Sequence, residues 1–238
     1  MNLILLFPED FTGEKAHTAC IKGRRYEHIV KVHGAEVGSK LRVGLLNNRM
    51  GEGIITRMGG DSLDMAVTYN QAPPAELPVT LILALPRPKV LKRVLLSATS
   101  MGVKRIILMN SWRVDKSFWQ SPATEPEKIR KQLILGLEQA RDTILPRIEK
   151  KRLFKPFVED ELPGIIMNSI PILFHPGSSK ACSEYSKEKH LTVLIGPEGG
   201  LIPYEVEKLK DAGFSMMSLG ERILRVETAV AAILSKFI

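Results

Sequence analysis

The 238-residue chain holds only two cysteines, Cys20 and Cys182. Two are too few for a disulfide framework of the kind that staples small secreted domains. Long apolar runs are also missing. Leu3-Ile4-Leu5-Leu6-Phe7 is stopped at once by Pro8, Glu9 and Asp10, and no basic residue precedes it. That is too short for a signal segment or a membrane span, so a buried first strand and a cytoplasmic location are expected. Neither G-x-G-x-x-G nor G-x-x-x-x-G-K-[ST] occurs, which argues against the usual nicotinamide and ATP enzymes. No G-x-S-x-G elbow marks a hydrolase. His17, Cys20, His28 and His33 match no standard zinc spacing, and no Cys-x-x-Cys is present, so no metal is expected.

What is present is an ordinary globular composition, 44% hydrophobic and 25% charged, with a net charge of +8. The excess is concentrated. Residues 1–72 carry 9 Lys/Arg and 8 Asp/Glu, residues 87–155 carry 17 and 6, and residues 156–238 carry 8 and 11. A basic block of that size attracts a polyanion through counterion release and steering, which points to nucleic acid ahead of mere solubility.

Pro73, Pro74 and Pro78 exclude a helix or a central strand, so residues 73–78 read as a linker. Before it, Leu41–Leu46, Ile54–Thr56 and Leu63–Val67 read as strands, with a turn at Asn47–Gly51 and a short helix over Arg25–Val32. Residues 1–72 therefore form a small β-rich, barrel-like domain. After the linker, strands are expected at Val79–Leu85, Arg105–Met109, Pro171–Phe174, Leu191–Ile195 and Phe214–Leu219. Helices are expected at about 89–101, 126–141, 204–212 and 226–237. Strands apolar throughout, alternating with helices, indicate an α/β domain with a mostly parallel sheet over residues 79–238.

Two glycine-bearing strand exits stand out. Gly196-Pro197-Glu198-Gly199-Gly200 follows the strand ending at Ile195. Leu219-Gly220-Glu221-Arg222-Ile223-Leu224-Arg225-Val226-Glu227-Thr228-Ala229 leads from a strand into the last helix. Ligands of open α/β sheets bind at the carboxyl ends of strands, and glycine lets main-chain groups approach them. Each stretch alone also fits a tight turn or a capped helix; two together favour a shared pocket. Glu198 fits either a cofactor contact or a cap on the helix that follows it.

These two motifs in order, with Gly136-Leu137-Glu138-Gln139-Ala140-Arg141 and Gly23-Arg24-Arg25-Tyr26-Glu27-His28-Ile29-Val30-Lys31-Val32 upstream, closely resemble SPOUT methyltransferases of the RsmE type. The match covers nearly the whole chain; Leu201 departs from it, since many relatives carry Phe there. The resemblance implies a small N-terminal PUA-like β-barrel domain, a C-terminal SPOUT α/β domain with a deep trefoil knot, and a homodimer. It implies S-adenosyl-L-methionine as cofactor and N3 of a uridine in 16S rRNA of the small ribosomal subunit as target. Carried onto this chain, the cofactor loops are Gly196, Pro197, Glu198, Gly199 and Gly200 after Leu194, then Leu219, Gly220, Ile223, Leu224, Arg225, Thr228 and Ala229. A third lies near Phe174, His175, Pro176 and Gly177.

Uracil N3 must lose its proton to attack a methyl group, and a fixed cation favours the anionic base. Arg225 is the first candidate for that role, followed by Glu138 and Arg141. Lys22, Arg24, Arg25 and Lys31 are candidate phosphate contacts, with Tyr26 for stacking, although the cluster also fits a solvated helix face. Arg87 and Lys89 open the basic block and are the next candidates. Trp112 and Trp119 fit an RNA surface, a dimer contact or packing. Two other functions fit the same residues: a SPOUT enzyme acting on another RNA site, and a non-catalytic RNA-binding protein.

Overall fold

The computed structural model describes residues 1–11, 17–176, 178 and 189–238. Cys182 and Gly177 lie outside them. The chain divides into two compact units. One comprises Met1–Ala75 with Ile134–Leu145, the other Glu76–Leu133 with Pro146–Ile238.

In the first unit the elements are β1 (Ile4–Leu6), β2 (Thr18–Lys22), α1 (Gly23–Lys31), β3 (Lys40–Leu45), β4 (Met50–Gly59) and β5 (Ser62–Gln71). They form one five-stranded sheet in the order β1-β3-β4-β5-β2. The β1–β3 pair is parallel and the other three are antiparallel. Period-2 alternation puts Leu63, Met65 and Val67 of β5 inward, where they meet Ile21, Ile29, Val43 and Ile55. Leu3 and Leu5 face the other way and pack with Met50 and Leu137. The opening apolar run is thus buried on both faces.

Asn47 takes a positive φ of 58° in the turn after β3, a conformation that asparagine tolerates. Gly51 sits at a register shift where a Cβ would lie 1.8 Å from the Thr68 carbonyl oxygen, so only glycine fits. The sequence pattern assigns residues 134–145 to the C-terminal domain; their contacts group them with the first unit instead. Asn2 and Leu3 donate main-chain hydrogen bonds to the Glu138 carbonyl, and Asn47 to that of Thr143. Such pairings over nearly a hundred residues or more leave no local trace in the sequence.

In the second unit, β6 (Val79–Ala84), α2 (Pro88–Ser100), β7 (Arg105–Met109), α3 (Lys116–Gln120) and the first part of α4 (Pro126–Ala140), as far as Leu133, come first. Next are β8 (Arg147–Lys151), α5 (Phe154–Pro156), a π-helical stretch Phe157–Glu161 and α6 (Leu162–Ile166). Then follow β9 (Ile170–Phe174), β10 (Leu191–Ile195), α7 (Pro203–Asp211), β11 (Ser215–Met217) and α8 (Val226–Leu234). The sheet order is β11-β9-β10-β6-β7-β8, and every pair is parallel. Every residue of the two middle strands, β6 and β10, is buried, which explains why they are apolar on both faces. Pro88 and Pro203 open their helices at first-turn positions that need no donor. β2 and β8 do not stand out in the sequence. β8 reads Arg-Ile-Glu-Lys-Lys, and an edge strand with one neighbour tolerates that charge, which also blunts further pairing.

Candidate active site

Because the second sheet is wholly parallel, the exits of β6, β7, β9, β10 and β11 emerge at one edge. The two glycine stretches follow β10 and β11, with β9 between those strands. After β10, the Gly200 N–H closes a turn onto the Pro197 carbonyl at 2.8 Å, with φ of +73° at Gly200. After β11, Gly220 takes φ of +105° and has open space where a Cβ would stand. Among the described residues, no hydrogen bond engages the main chain of Leu219–Leu224. Ile223 is 83% exposed and Leu224 37%. Bare polar main chain beside uncovered aliphatic side chains suits a flat ligand with an apolar face and a hydrogen-bonding edge. The adenine of S-adenosylmethionine has that chemistry, so these residues fit the expected cofactor.

The remaining loop residues divide by burial. Leu194 and Phe174 are buried in their strands and support the loops from below. His175 continues β9, donating its N–H to the Met217 carbonyl at 2.8 Å. Burial, aided by Lys210, holds its imidazole below the usual pKa and so favours the neutral ring. Arg225 is the N-cap residue of α8 and its carbonyl accepts from Ala229 N–H. Its side chain is exposed and has no partner among the described residues. Thr228 is exposed and Ala229 half-buried in the first turn of the same helix. Glu227 instead meets Arg93 at 3.5 Å.

Glu198 has a partner that the sequence does not point to. Its Oε1 accepts the Arg87 N–H at 3.0 Å, and Arg87 is the N-cap of α2. The carboxylate therefore caps a helix 111 residues earlier, rather than the one that follows it. Two further links brace this edge and have no counterpart in the sequence reading. Glu205, 2% exposed, accepts the Ile202 N–H at 3.0 Å and the Trp112 N–H at 2.7 Å. The Arg113 guanidinium donates to the Gly199 carbonyl at 2.5 Å. The position of Glu205, three residues past the N-cap Ile202, is a legible capping signal. Its hold on Trp112 is purely tertiary.

In the first unit, several candidates are already engaged. Glu138 is 2% exposed and gripped by Arg24 through both carboxylate oxygens, at 2.7 and 2.9 Å. A buried carboxylate held by a fork of donors is a structural ion pair, which removes Glu138 from the catalytic candidates and commits Arg24. Arg25 is engaged in the same way and is not available for RNA phosphates. Its guanidinium, 13% exposed, holds Asp10 and the Leu5 carbonyl and lies 4.8 Å from the Phe7 ring centroid. Tyr26 is half-buried against the core and donates its hydroxyl to the Gly60 carbonyl. Lys22 and Lys31 remain exposed, Lys31 with Glu27 at 3.4 Å. Arg141 is exposed with a positive φ of 58° just past the end of α4. Arg87 and Lys89 of the second unit are exposed at the head of α2. Among the described residues, no group of three or more His, Cys, Asp or Glu could hold a metal ion. No described helix is long and apolar enough to cross a membrane.

An RNA-modifying transferase is the class that such a sheet edge, beside a basic block, would serve. The RNA methyltransferase domain model matches residues 73–238, so the chain belongs to that family. Among its relatives is the ribosomal RNA small subunit methyltransferase E of Treponema pallidum. It is 27% identical over 98% of this chain and 88% of its own. The enzyme designated methyltransferase E 1 in Borreliella burgdorferi is 26% identical over 98% and 95%. The crystal structure of the Neisseria gonorrhoeae methyltransferase E, bound to S-adenosyl methionine, superimposes with a TM-score of 0.78. It covers 99% of this chain and 95% of its own at 18% identity, a likeness of fold.

Proposed function

We propose that this protein transfers a methyl group from S-adenosylmethionine to N3 of a specific uridine in 16S rRNA. The observation that carries the reading is the all-parallel sheet edge where the glycine turn after β10 stands near the exit of β11, whose Leu219–Leu224 main chain has no hydrogen bond among the described residues and whose Ile223 and Leu224 are uncovered, in a chain of the RNA methyltransferase family. The substrate follows the relatives of Treponema and Borreliella, named for small-subunit ribosomal RNA.

When bound, the cofactor supplies an electrophilic methyl on a sulfonium. Gly196, Pro197, Gly199 and Gly200 would hold it from the β10 side. Leu219, Gly220, Ile223, Leu224, Thr228 and Ala229 would hold it from the β11 side, and Phe174 and His175 would close the base. Glu198 shapes the site from behind by capping α2. Arg225, exposed at the head of α8, orients uracil and stabilises the charge that grows on its carbonyl oxygens as the N3 proton leaves. The exposed cations Lys22, Lys31, Arg87, Lys89 and Arg141 take RNA phosphates.

The proposal includes the finer architecture: residues 1–72 as a PUA-like RNA-binding domain, 73–78 as linker, and 79–238 as a SPOUT domain with a trefoil knot. It also includes a homodimer in the cytoplasm. Arg225→Ala tests the chemistry, with S-adenosylhomocysteine affinity and methyl transfer measured separately. Transfer should fall by about 10²-fold or more while affinity changes little; full turnover removes Arg225 from the mechanism. Mapping 16S rRNA from cells lacking the protein tests the substrate, and an unchanged uridine N3 pattern refutes it. Light scattering on the purified protein tests the dimer.

A further inference from the structure

The chain's two tryptophans lie seven residues apart and are treated oppositely by the fold. Trp119 is half-buried. It donates its indole N–H to Asn110 at 2.9 Å and lies under the Arg152 guanidinium, 5.5 Å from the ring centroid. Trp112 is 80% exposed. An indole carries more apolar surface than almost any other side chain, and leaving it in water forfeits the stabilisation of burial.

The exposure of Trp112 does not come from a loose loop. Ser111 and Val114 are 2% and 6% exposed, and the Val114 N–H closes a turn onto the Ser111 carbonyl at 3.0 Å. Trp112 and Arg113 are the two corner residues of that turn. The Trp112 N–H is pinned by the buried Glu205 carboxylate at 2.7 Å, and Arg113 by the Gly199 carbonyl at 2.5 Å. Two hydrogen bonds therefore fix the main chain of the turn, and the Arg113 side chain adds a third link, while the indole is left exposed. Its anchors, Gly199 and Glu205, lie in and just after the glycine stretch that follows β10, so the indole flanks the proposed cofactor loop. The stretch of sequence that carries it has the charge to suit a polyanion. Residues 87–155 carry 17 Lys/Arg against 6 Asp/Glu, and Asp115, next along the chain, is engaged in capping α3.

From these observations we infer that Trp112 is a stacking platform for an unpaired base of the RNA, presenting single-stranded RNA at the mouth of the methyl-transfer site. The inference rests on the methyltransferase reading. It adds a specificity device: uracil N3 is hidden in a base pair, and an aromatic face beside the site rewards RNA whose bases are already unpaired. A preformed platform is effective because its ordering cost is met in folding rather than on binding.

Two measurements test it. In Trp119→Phe the only remaining tryptophan is Trp112, so its fluorescence reports directly on the indole. Oligouridylate should quench it, whereas heparin, a polyanion without bases, and oligouridylate paired with oligoadenylate should not. Quenching by all three to the same extent, or by none, overturns the platform. In the intact chain, Trp112→Ala should raise KM for a 16S rRNA transcript about tenfold, the scale of one base stacked on an aromatic ring. S-adenosylhomocysteine affinity should stay unchanged, and Trp112→Tyr should restore most of the loss. An unchanged KM overturns the inference. So does dissociation of an oligomer by Trp112→Ala in light scattering, which makes the indole a subunit contact instead. Wild-type protein that neither binds S-adenosylhomocysteine nor transfers methyl refutes the methyltransferase reading separately, because the fluorescence measurement needs no cofactor.

Discussion

Replacing Glu205 with alanine should unfold the second unit more than any surface substitution near it. The carboxylate is 2% exposed and accepts two main-chain N–H groups, from Ile202 at 3.0 Å and Trp112 at 2.7 Å. A hydrogen bond to a charged acceptor contributes about 1.5–3 kcal/mol. Both donors are part-buried, so water recovers some of the loss, and a net cost of about 3 kcal/mol is expected for Glu205→Ala. In a chain of this size that corresponds to a melting shift of about 6–12 °C. Glu205→Gln keeps one acceptor but turns its amide toward a donor, and should cost about half as much. Urea unfolding and thermal melts followed by circular dichroism measure both. If Glu205→Ala stays within about 1 kcal/mol of wild type, or if the glutamine variant is as damaging as alanine, then the carboxylate is not the brace between the exits of β7 and β10.

Three further outcomes follow from the same reasoning. Arg24→Ala leaves the Glu138 carboxylate buried without its fork of donors. It should cost about 2–3 kcal/mol in urea unfolding, below the ~3–5 kcal/mol of a fully buried pair because Arg24 is half-exposed; no loss would return Glu138 to the catalytic candidates. Gly220→Ala forces a Cβ into φ of +105°, straining the loop by about 1–2 kcal/mol. It should weaken S-adenosylhomocysteine binding about tenfold or more, and unchanged calorimetry would exclude the loop from the cofactor site. Tyr69 has a buried hydroxyl with no partner among the described residues, and burial pushes its pKa up to about 12. Tyr69→Phe should therefore be neutral or stabilising by up to about 1 kcal/mol, and a clear loss in a thermal melt would reveal a bond that the fold does not display.

Much of the second unit was legible because its signals are local. Strands buried on both faces are almost wholly apolar, and Val79–Ala84 and Leu191–Ile195 show it with one threonine each. Pro88, Pro126 and Pro203 mark helix starts because a first-turn residue needs no N–H partner. The glycine stretches mark the loops because positive φ at Gly200 and Gly220 is costly for any other residue. β2 and β8 were not legible, since short strands with polar or charged residues carry no apolar signature and owe their pairing to one neighbour.

What the chain by itself determined is therefore the kind of domain, the position of the basic block, and the glycine loops with their family pattern. The tertiary structure decided which charges remain available. Arg24, Arg25, Glu138 and Glu198 look alike in sequence to free functional groups. Each is occupied by a partner 15 to 114 residues away, Arg25 by Asp10, Arg24 and Glu138 by each other, and Glu198 by the Arg87 N–H. The same distance effect works in the opposite sense at Trp112, where Glu205, 93 residues on, fixes the main chain and leaves the indole exposed. A side chain's chemistry is written in its residue type. Whether that chemistry is satisfied depends on which distant donors and acceptors the fold brings within about 3 Å, and no local pattern records that.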